Sequence, residues 1–203
     1  MKTFRSSELK AAAQLLKEGG LLAFPTETVF GFGVVYDNED AYKKLVNVKR
    51  RPPEQPFTVM CSDIEDLSKL AYLNDKAIKL INKFMPGQIT LIVKAKEGLP
   101  SFAVSKDGNV GIRIPNYDIV RELIREVNKP LLVPSANRHG ERPALNAQEV
   151  IDNFSKEIDG IILGDTISNV PSTIVLINNE VRVIREGSIS KDEIKNVIGE
   201  KVL

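Results

Sequence analysis

Cysteine, histidine and tryptophan are almost missing from the 203-residue chain, which has one Cys, Cys61, one His, His139, and no Trp. A single cysteine excludes an intramolecular disulfide framework, and one Cys with one His cannot assemble a Cys/His zinc site from this chain alone. A reducing, cytoplasmic setting is expected. Aromatic residues make up only 6% of the chain, which disfavours recognition of RNA or single strands on a broad stacking platform. Lys and Arg number 28 against 27 for Asp and Glu, so the net charge of +1 lacks the basic excess of a dedicated nucleic-acid coat. No run of about 18 apolar residues occurs, and Met1–Ser7 mixes charge and hydroxyls, so neither a membrane span nor a signal peptide is expected.

Whole mechanisms are missing too. There is no G-x-x-x-x-G-K-S/T loop, and Gly31-Phe32-Gly33 lacks the third glycine of a dinucleotide fingerprint. Any nucleotide must be held another way. Ser135 lies in Pro134-Ser135-Ala136-Asn137 rather than in G-x-S-x-G, with the one histidine four positions later, which gives no nucleophile and base pair.

What is there reads as one soluble α/β domain over 1–203, 42% hydrophobic and 27% charged, with enough apolar residues for a sizeable core. Leu9, Ala12, Ala13 and Leu16 predict a helix over about 7–17, capped by Ser6 or Ser7 and ended by Gly19-Gly20. Leu21–Phe24 reads as a buried strand delivering the hydroxyl- and glycine-rich segment 25–33. Asn38 caps a helix that runs into Lys49-Arg50-Arg51-Pro52-Pro53, where the prolines force an exit. Phe57–Cys61 reads as a strand; Ser62 with Glu65 and Asn74 open two helices, and Ile89–Val93 and Val110–Ile114 are strands across a loop or frayed hairpin. A helix marked by Ile119, Val120, Leu123, Ile124 and Val127 follows. Then come the strand Leu131–Val133, a helix opened by Asn146 with Glu149, the strand Gly160–Leu163 and the hairpin Thr173–Ile177 with Val181–Ile184. Ser190 with Glu193 caps a last short helix. The economical architecture is a mixed sheet flanked by helices.

Candidate ligand residues cluster at strand ends, the usual place for contacts in α/β sheets. Lys43, Lys44, Lys49, Arg50 and Arg51 fall close together. Either the last of them are aimed at phosphate oxygens, or the group is a solvated helix terminus favoured by the macrodipole. By strand alternation Val110, Ile112 and Ile114 share one face and leave Gly111 and Arg113 on the other. That arginine either receives a small carboxylate or covers apolar surface with its stem at a sheet edge. Ser135 and Asn137 serve a ligand or a turn. Ser172 and Thr173 start a strand, Arg185 offers a guanidinium or a surface ion pair with Glu186, His139 reads as an exposed loop residue, and Cys61 as a small buried hydrophobe.

Together these segments resemble the YrdC family of threonylcarbamoyl-adenylate synthases. Segment 25–33 is similar to the family's P-T-E-T-V-Y-G-L-G; Lys49-Arg50-Arg51-Pro52 with Pro56 to its K-x-R-P…P; Pro134–Asn137 to its P-S-A-N; Pro171–Val175 to its S-T-I-V; and Ile184–Gly187 to its I-R-x-G. Five motifs occur in family order over about residues 8–190. The resemblance implies a twisted α/β sheet like that of dihydroxybutanone phosphate synthase, with a concave, positively lined cavity. It implies synthesis of threonylcarbamoyl-AMP and pyrophosphate from L-threonine, bicarbonate or carbon dioxide, and ATP with Mg2+, for modification of the adenosine beside the anticodon of certain tRNAs. Carried over by motif position, Lys49, Arg51, Ser135 and Asn137 surround the ATP phosphates, with Lys49 and Arg51 as the catalytic cations. Gln55, Asn109, Pro143 and Arg185 surround the rest of the nucleotide. Thr28, Met60, Arg113, Val133 and Ser172 line the threonine pocket, with Arg113 taking the carboxylate.

The chain departs from relatives that carry Asn at Gln55, His at Met60 and Thr at Asn109, and Phe30 replaces the usual Tyr. The further C-terminal domain of longer members is expected to be absent. Expected partners are the substrates, downstream threonylcarbamoyl-transferring proteins and, through Lys43, Lys44 or Arg50, tRNA or double-stranded RNA. A module of the same fold that binds RNA without synthase activity is the alternative reading. Mobile segments are expected at 98–108 and 138–143.

Overall fold

The computed structural model describes residues 1–52 and 56–203. Its strands are β1 (Lys2–Phe4), β2 (Leu22–Phe24), β3 (Gly31–Val35), β4 (Val59–Met60), β5 (Ile89–Lys94), β6 (Asn109–Arg113), β7 (Leu131–Leu132), β8 (Gly160–Ile162), β9 (Thr173–Ile177) and β10 (Val181–Arg185). They form one mixed sheet in the order β1-β8-β2-β3-β7-β4-β6-β5-β9-β10. The helices are α1 (Leu9–Lys17), α2 (Glu39–Lys49), α3 (Ile64–Leu70), α4 (Asp75–Phe84), α5 (Asp118–Val127), α6 (Ala147–Phe154) and α7 (Lys191–Ile198).

Most helix starts follow their predicted caps. Asn38, Asn74 and Asn146 each accept a backbone N–H 2.9 Å away, and Ser190 with Glu193 closes a reciprocal box. Two starts differ. Asp63, not Ser62, caps α3 by accepting the Asp66 N–H at 3.1 Å, while the Ser62 hydroxyl is spent as a donor to the neighbouring carboxylates. A turn of 3-10 helix, Ser6–Glu8, precedes α1, and Glu8 reaches back to the Arg5 N–H in place of a serine cap.

The strand expected over Phe57–Cys61 shrinks to β4, and two strands escape the pattern reading. β1 has a single buried residue, Phe4, and exists because it pairs in parallel with β8. β3 runs through Gly31 and Gly33, whose role is packing. A Cβ at Gly33 would lie 2.4 Å from the Phe24 ring, and one at Gly31 2.8 Å from Val133 Cγ1.

Two cores lie on opposite faces of the sheet. Helices α2, α3, α4, α6 and α7 cover one face, where Val59, Leu91, Ile112 and Val175 point. Helices α1 and α5 cover only part of the other, over β1, β8, β2, β3 and β7, with Phe24, Val35, Leu131 and Ile162 beneath them. The opposite-face residues of β4, β6, β5 and β9 line a cavity.

Candidate active site

That cavity has a volume of about 660 Å³. Each of its walls has a local cause. β6 lies between β4 and β5, inside the sheet, so the edge position considered for Arg113 is excluded. As alternation predicts, Val110 and Ile112 are buried in the core while Asn109, Gly111 and Arg113 face the cavity. Thr90 and Ile92 of β5, and Ser172 and Ile174 at β9, extend the same floor.

The turn after β2 supplies Thr26 and Thr28. The Thr26 hydroxyl donates to the Val29 carbonyl at 2.7 Å and accepts the Thr28 N–H at 3.1 Å, which closes the turn, with the Thr28 hydroxyl 2.9 Å away. Opposite it, Ser135 bonds Asn137 Oδ1 at 2.5 Å, and the Asn137 amide donates to the carbonyls of Arg138 and Glu141, both at 2.8 Å. Asn137 thereby braces the 138–143 segment.

Helix α2 ends with Arg50 in the left-handed conformation (φ 48°), which turns the chain before Pro52. Lys49 is 3% exposed. Its ammonium donates to the Ser135 carbonyl at 2.7 Å and to Asn137 Oδ1 at 2.9 Å, so it lies behind the cavity wall rather than on it. The solvated-terminus alternative is therefore overturned for this residue. Burial, assisted by the nearby Arg51 charge, lowers the Lys49 pKa to about 7. Arg51 lines the cavity with its guanidinium 5.1 Å from the Phe57 ring centre, and its buried Nε has no partner among the described residues. Desolvation lowers its pKa as well. Lys43 and Lys44 behave otherwise. They are exposed; Lys43 pairs with Glu39, and Lys44 donates to the Gly19 carbonyl beside Asp159.

Arg185 makes no surface pair with Glu186. Its Nη2 and Nε donate to the Ser172 carbonyl at 2.8 and 3.2 Å, which places the guanidinium at the cavity. Gly187 permits this, since a Cβ there would lie 2.1 Å from the Pro171 carbonyl oxygen. The Ser172 hydroxyl lies 3.2 Å from that of Thr90. Burial, then the Arg113 charge, lowers the Arg185 pKa.

Of the residues predicted from sequence, Thr28, Arg51, Met60, Asn109, Arg113, Val133, Ser135, Asn137, Pro143, Ser172 and Arg185 line this one cavity. Lys49 stands directly behind it. Gln55, like Pro53, lies outside the described residues. His139 is exposed and Cys61 is fully buried, with burial raising its thiol pKa. Sequence reasoning missed Glu27. It is 3% exposed, and its Oε1 pairs with Arg113 Nη2 at 2.7 Å across 86 positions of chain. Its only signal was its place between the two threonines. Glu141, on the braced segment, also lines the cavity and was not foreseen. Among the described residues, no group of three or more His, Cys, Asp or Glu could hold a metal ion, and no helix is long and apolar enough to cross a membrane.

A mixed α/β sheet whose uncovered half carries guanidinium, hydroxyl and amide groups defines the class: an α/β protein with a cavity on its open sheet face, whose donors suit a small anionic ligand. The particular family follows from comparison: the chain belongs to the Sua5/YciO/YrdC family, whose model, described as telomere recombination, matches residues 14–187. It is 37% identical over 196 residues to a threonylcarbamoyl-AMP synthase of Bacillus subtilis, covering 95% of this chain and 57% of that protein. A putative threonylcarbamoyl-AMP synthase of Methanocaldococcus jannaschii is 37% identical over 188 residues, 90% of this chain and 88% of that one. The crystal structure of Pyrococcus abyssi Sua5 complexed with L-threonine matches with a TM-score of 0.93 at 31% identity, over 100% of this chain and 62% of that one. The chain thus spans less than two thirds of the Bacillus and Pyrococcus relatives.

Proposed function

We propose that residues 1–203 act as one YrdC-like domain that makes threonylcarbamoyl-AMP and pyrophosphate from L-threonine, bicarbonate or carbon dioxide, and ATP. The observation that carries this reading is convergence: cations and hydroxyls from five separate motifs meet at one cavity of about 660 Å³. The relatives' names and the threonine complex of the Pyrococcus protein support it.

In this reading threonine lies over β6. Arg113 Nε and Nη2 are already engaged by the Gly87 carbonyl and Glu27, which leaves Nη1 for the amino-acid carboxylate. Thr28 and Ser172 offer hydroxyls, and Met60 and Val133 the apolar wall. ATP enters as its Mg2+ complex, the metal held by the phosphates, and spans Asn109, Pro143, Arg185 and the Ser135–Asn137 turn. The threonine amine adds to carbon dioxide and gives up a proton, or displaces water from bicarbonate, to form a carbamate, whose oxygen attacks the α-phosphorus as the bond to the departing pyrophosphate breaks. Arg51 and Lys49 neutralise the charge that develops on the phosphates, and the fixed walls hold the reactants in line. Arg51 brings an unpartnered Nε, and Lys49 regains its full charge beside a polyanion. The product passes to a cytoplasmic threonylcarbamoyl-transferring partner acting on tRNA. The relatives' names and the threonine complex support the synthase reading over the RNA-module alternative, and two of the three cations that the alternative uses have local acceptors, Lys43 at Glu39 and Lys44 at the Gly19 carbonyl.

The test is pyrophosphate release from ATP with and without threonine and bicarbonate. Release that requires both, and that falls in Arg51→Ala by the equivalent of about 2–4 kcal/mol, is expected. Release indifferent to threonine, or undiminished in Arg51→Ala, refutes the assignment.

A further inference from the structure

Arg113 is held from behind. Its side chain is 5% exposed and that of Glu27 4%, and the two form a 2.7 Å ion pair. Glu27 Oε1 also accepts the Asn116 N–H at 2.9 Å, and the Glu27 backbone carbonyl accepts the Ser168 N–H at 3.0 Å. One residue therefore ties the Thr26–Thr28 turn to the end of β6 and to the loop before β9. The Gly87 carbonyl takes Arg113 Nε at 3.2 Å. With two guanidinium nitrogens pinned on the inner side, Nη1 has neither a partner among the described residues nor full burial, and it is the nitrogen left for the cavity that Arg113 lines. Glu27 does not line the cavity, and its buried Oε2 has no partner among the described residues. It cannot touch a ligand there.

We infer that Glu27 is a positioning residue for carboxylate recognition, acting through Arg113 to aim its free nitrogen and to offset its charge while the cavity is empty. This rests on the reading of Arg113 as the threonine-carboxylate receptor. Two effects of the pair oppose each other. Aim favours the ligand, since a guanidinium locked in one orientation loses no freedom on binding. Charge disfavours it, because a carboxylate already at Arg113 repels a second and weakens the attraction the ligand feels in a site shielded from water. Arg185, close enough for Arg113 to depress its pKa, adds a second cation at the same cavity.

The two effects separate by substitution. Glu27→Gln keeps an oxygen acceptor for Arg113 and Asn116 but removes the competing charge. Glu27→Ala removes both and leaves the guanidinium unaimed. The measurement is calorimetric binding of L-threonine and of L-threoninamide, which keeps the amine and side chain but carries no carboxylate, to the full chain and both variants.

The ratio of the two affinities is the readout, because general damage to the site lowers both ligands together and leaves the ratio alone. Expected is a ratio in Glu27→Ala reduced on the order of tenfold or more, and a ratio in Glu27→Gln above the parent's. A ratio unchanged in Glu27→Ala, or unchanged or falling in Glu27→Gln, overturns the inference. If Glu27→Ala does not fold, the Glu27→Gln ratio alone decides. A parent that does not bind L-threonine in preference to L-threoninamide fails the underlying reading of Arg113 instead, which distinguishes the two failures.

Discussion

Replacing Lys49 by methionine should make the protein more stable and abolish the proposed synthase activity. Folding buries the Lys49 ammonium and lowers its pKa from 10.5 to about 7. That depression corresponds to roughly 5 kcal/mol of folding free energy lost while the group is charged. Methionine fills nearly the same volume with no charge to desolvate. Against this stand the two lost hydrogen bonds, but both acceptors keep another donor: Ser135 O retains the Asn137 N–H and Asn137 Oδ1 the Ser135 hydroxyl. Their loss falls at the low end of the range for buried bonds, about 1 kcal/mol each. The expected gain for Lys49→Met is therefore about 1–3 kcal/mol at pH near 6.

The pH dependence fixes the sign. Below about pH 7 lysine is protonated in both folded and unfolded chains, and the burial cost is fully present. Above it the folded protein gives up the proton while the unfolded chain keeps it up to about 10.5, so the unfolded state binds more protons and the parent's stability rises by roughly 1.4 kcal/mol per pH unit. Urea unfolding of both proteins from about pH 6 to about pH 9 should show the variant's advantage shrinking and vanishing. An advantage that stays flat with pH, or a variant less stable at pH 6, refutes the burial argument. ATP binding to the parent should also take up a proton near pH 8, read as heat that depends on the buffer's ionisation enthalpy.

Gly187→Ala should destabilise by more than about 2 kcal/mol, measured by urea unfolding, because its Cβ would sit 2.1 Å from the Pro171 carbonyl oxygen with only backbone around it. Gly111→Leu should instead keep the parent's melting temperature within a few degrees yet lose ligand binding by calorimetry, since the nearest atoms to an added Cβ are 3.7 Å away and the residue faces the cavity. Cys61, fully buried with its thiol pKa raised by that burial, should resist thiol reagents in native protein and react fully in urea.

Much of the helical layer was legible because helix signals are local. Asn38, Asn74 and Asn146 cap through contacts three residues long, and an apolar stripe at helical spacing needs no partner to be recognised. β1 was not legible, since Lys2–Phe4 has no pattern of its own and becomes a strand only by pairing with β8, more than 150 positions away. The same distinction divides the site. The alternation of Val110 to Ile114 placed Arg113 and Gly111 on one face from sequence. Whether that face met solvent, a helix or a cavity depended on α1 and α5 stopping short of β4, β6, β5 and β9.

By its sequence alone the chain reads as a mixed α/β domain with too few Cys and His for an internal disulfide or a Cys/His zinc site, with no P-loop or G-x-S-x-G motif, and with five motifs dense in hydroxyls and cations. Local spacing and residue chemistry are enough for that. Tertiary structure alone decided that Lys49 lies behind a wall with its charge strained by burial, that Arg185 turns to Ser172 instead of to Glu186, and that Glu27 stands beneath Arg113. These are outcomes of desolvation and long-range pairing, which depend on the rest of the fold and leave no mark in any short stretch of chain.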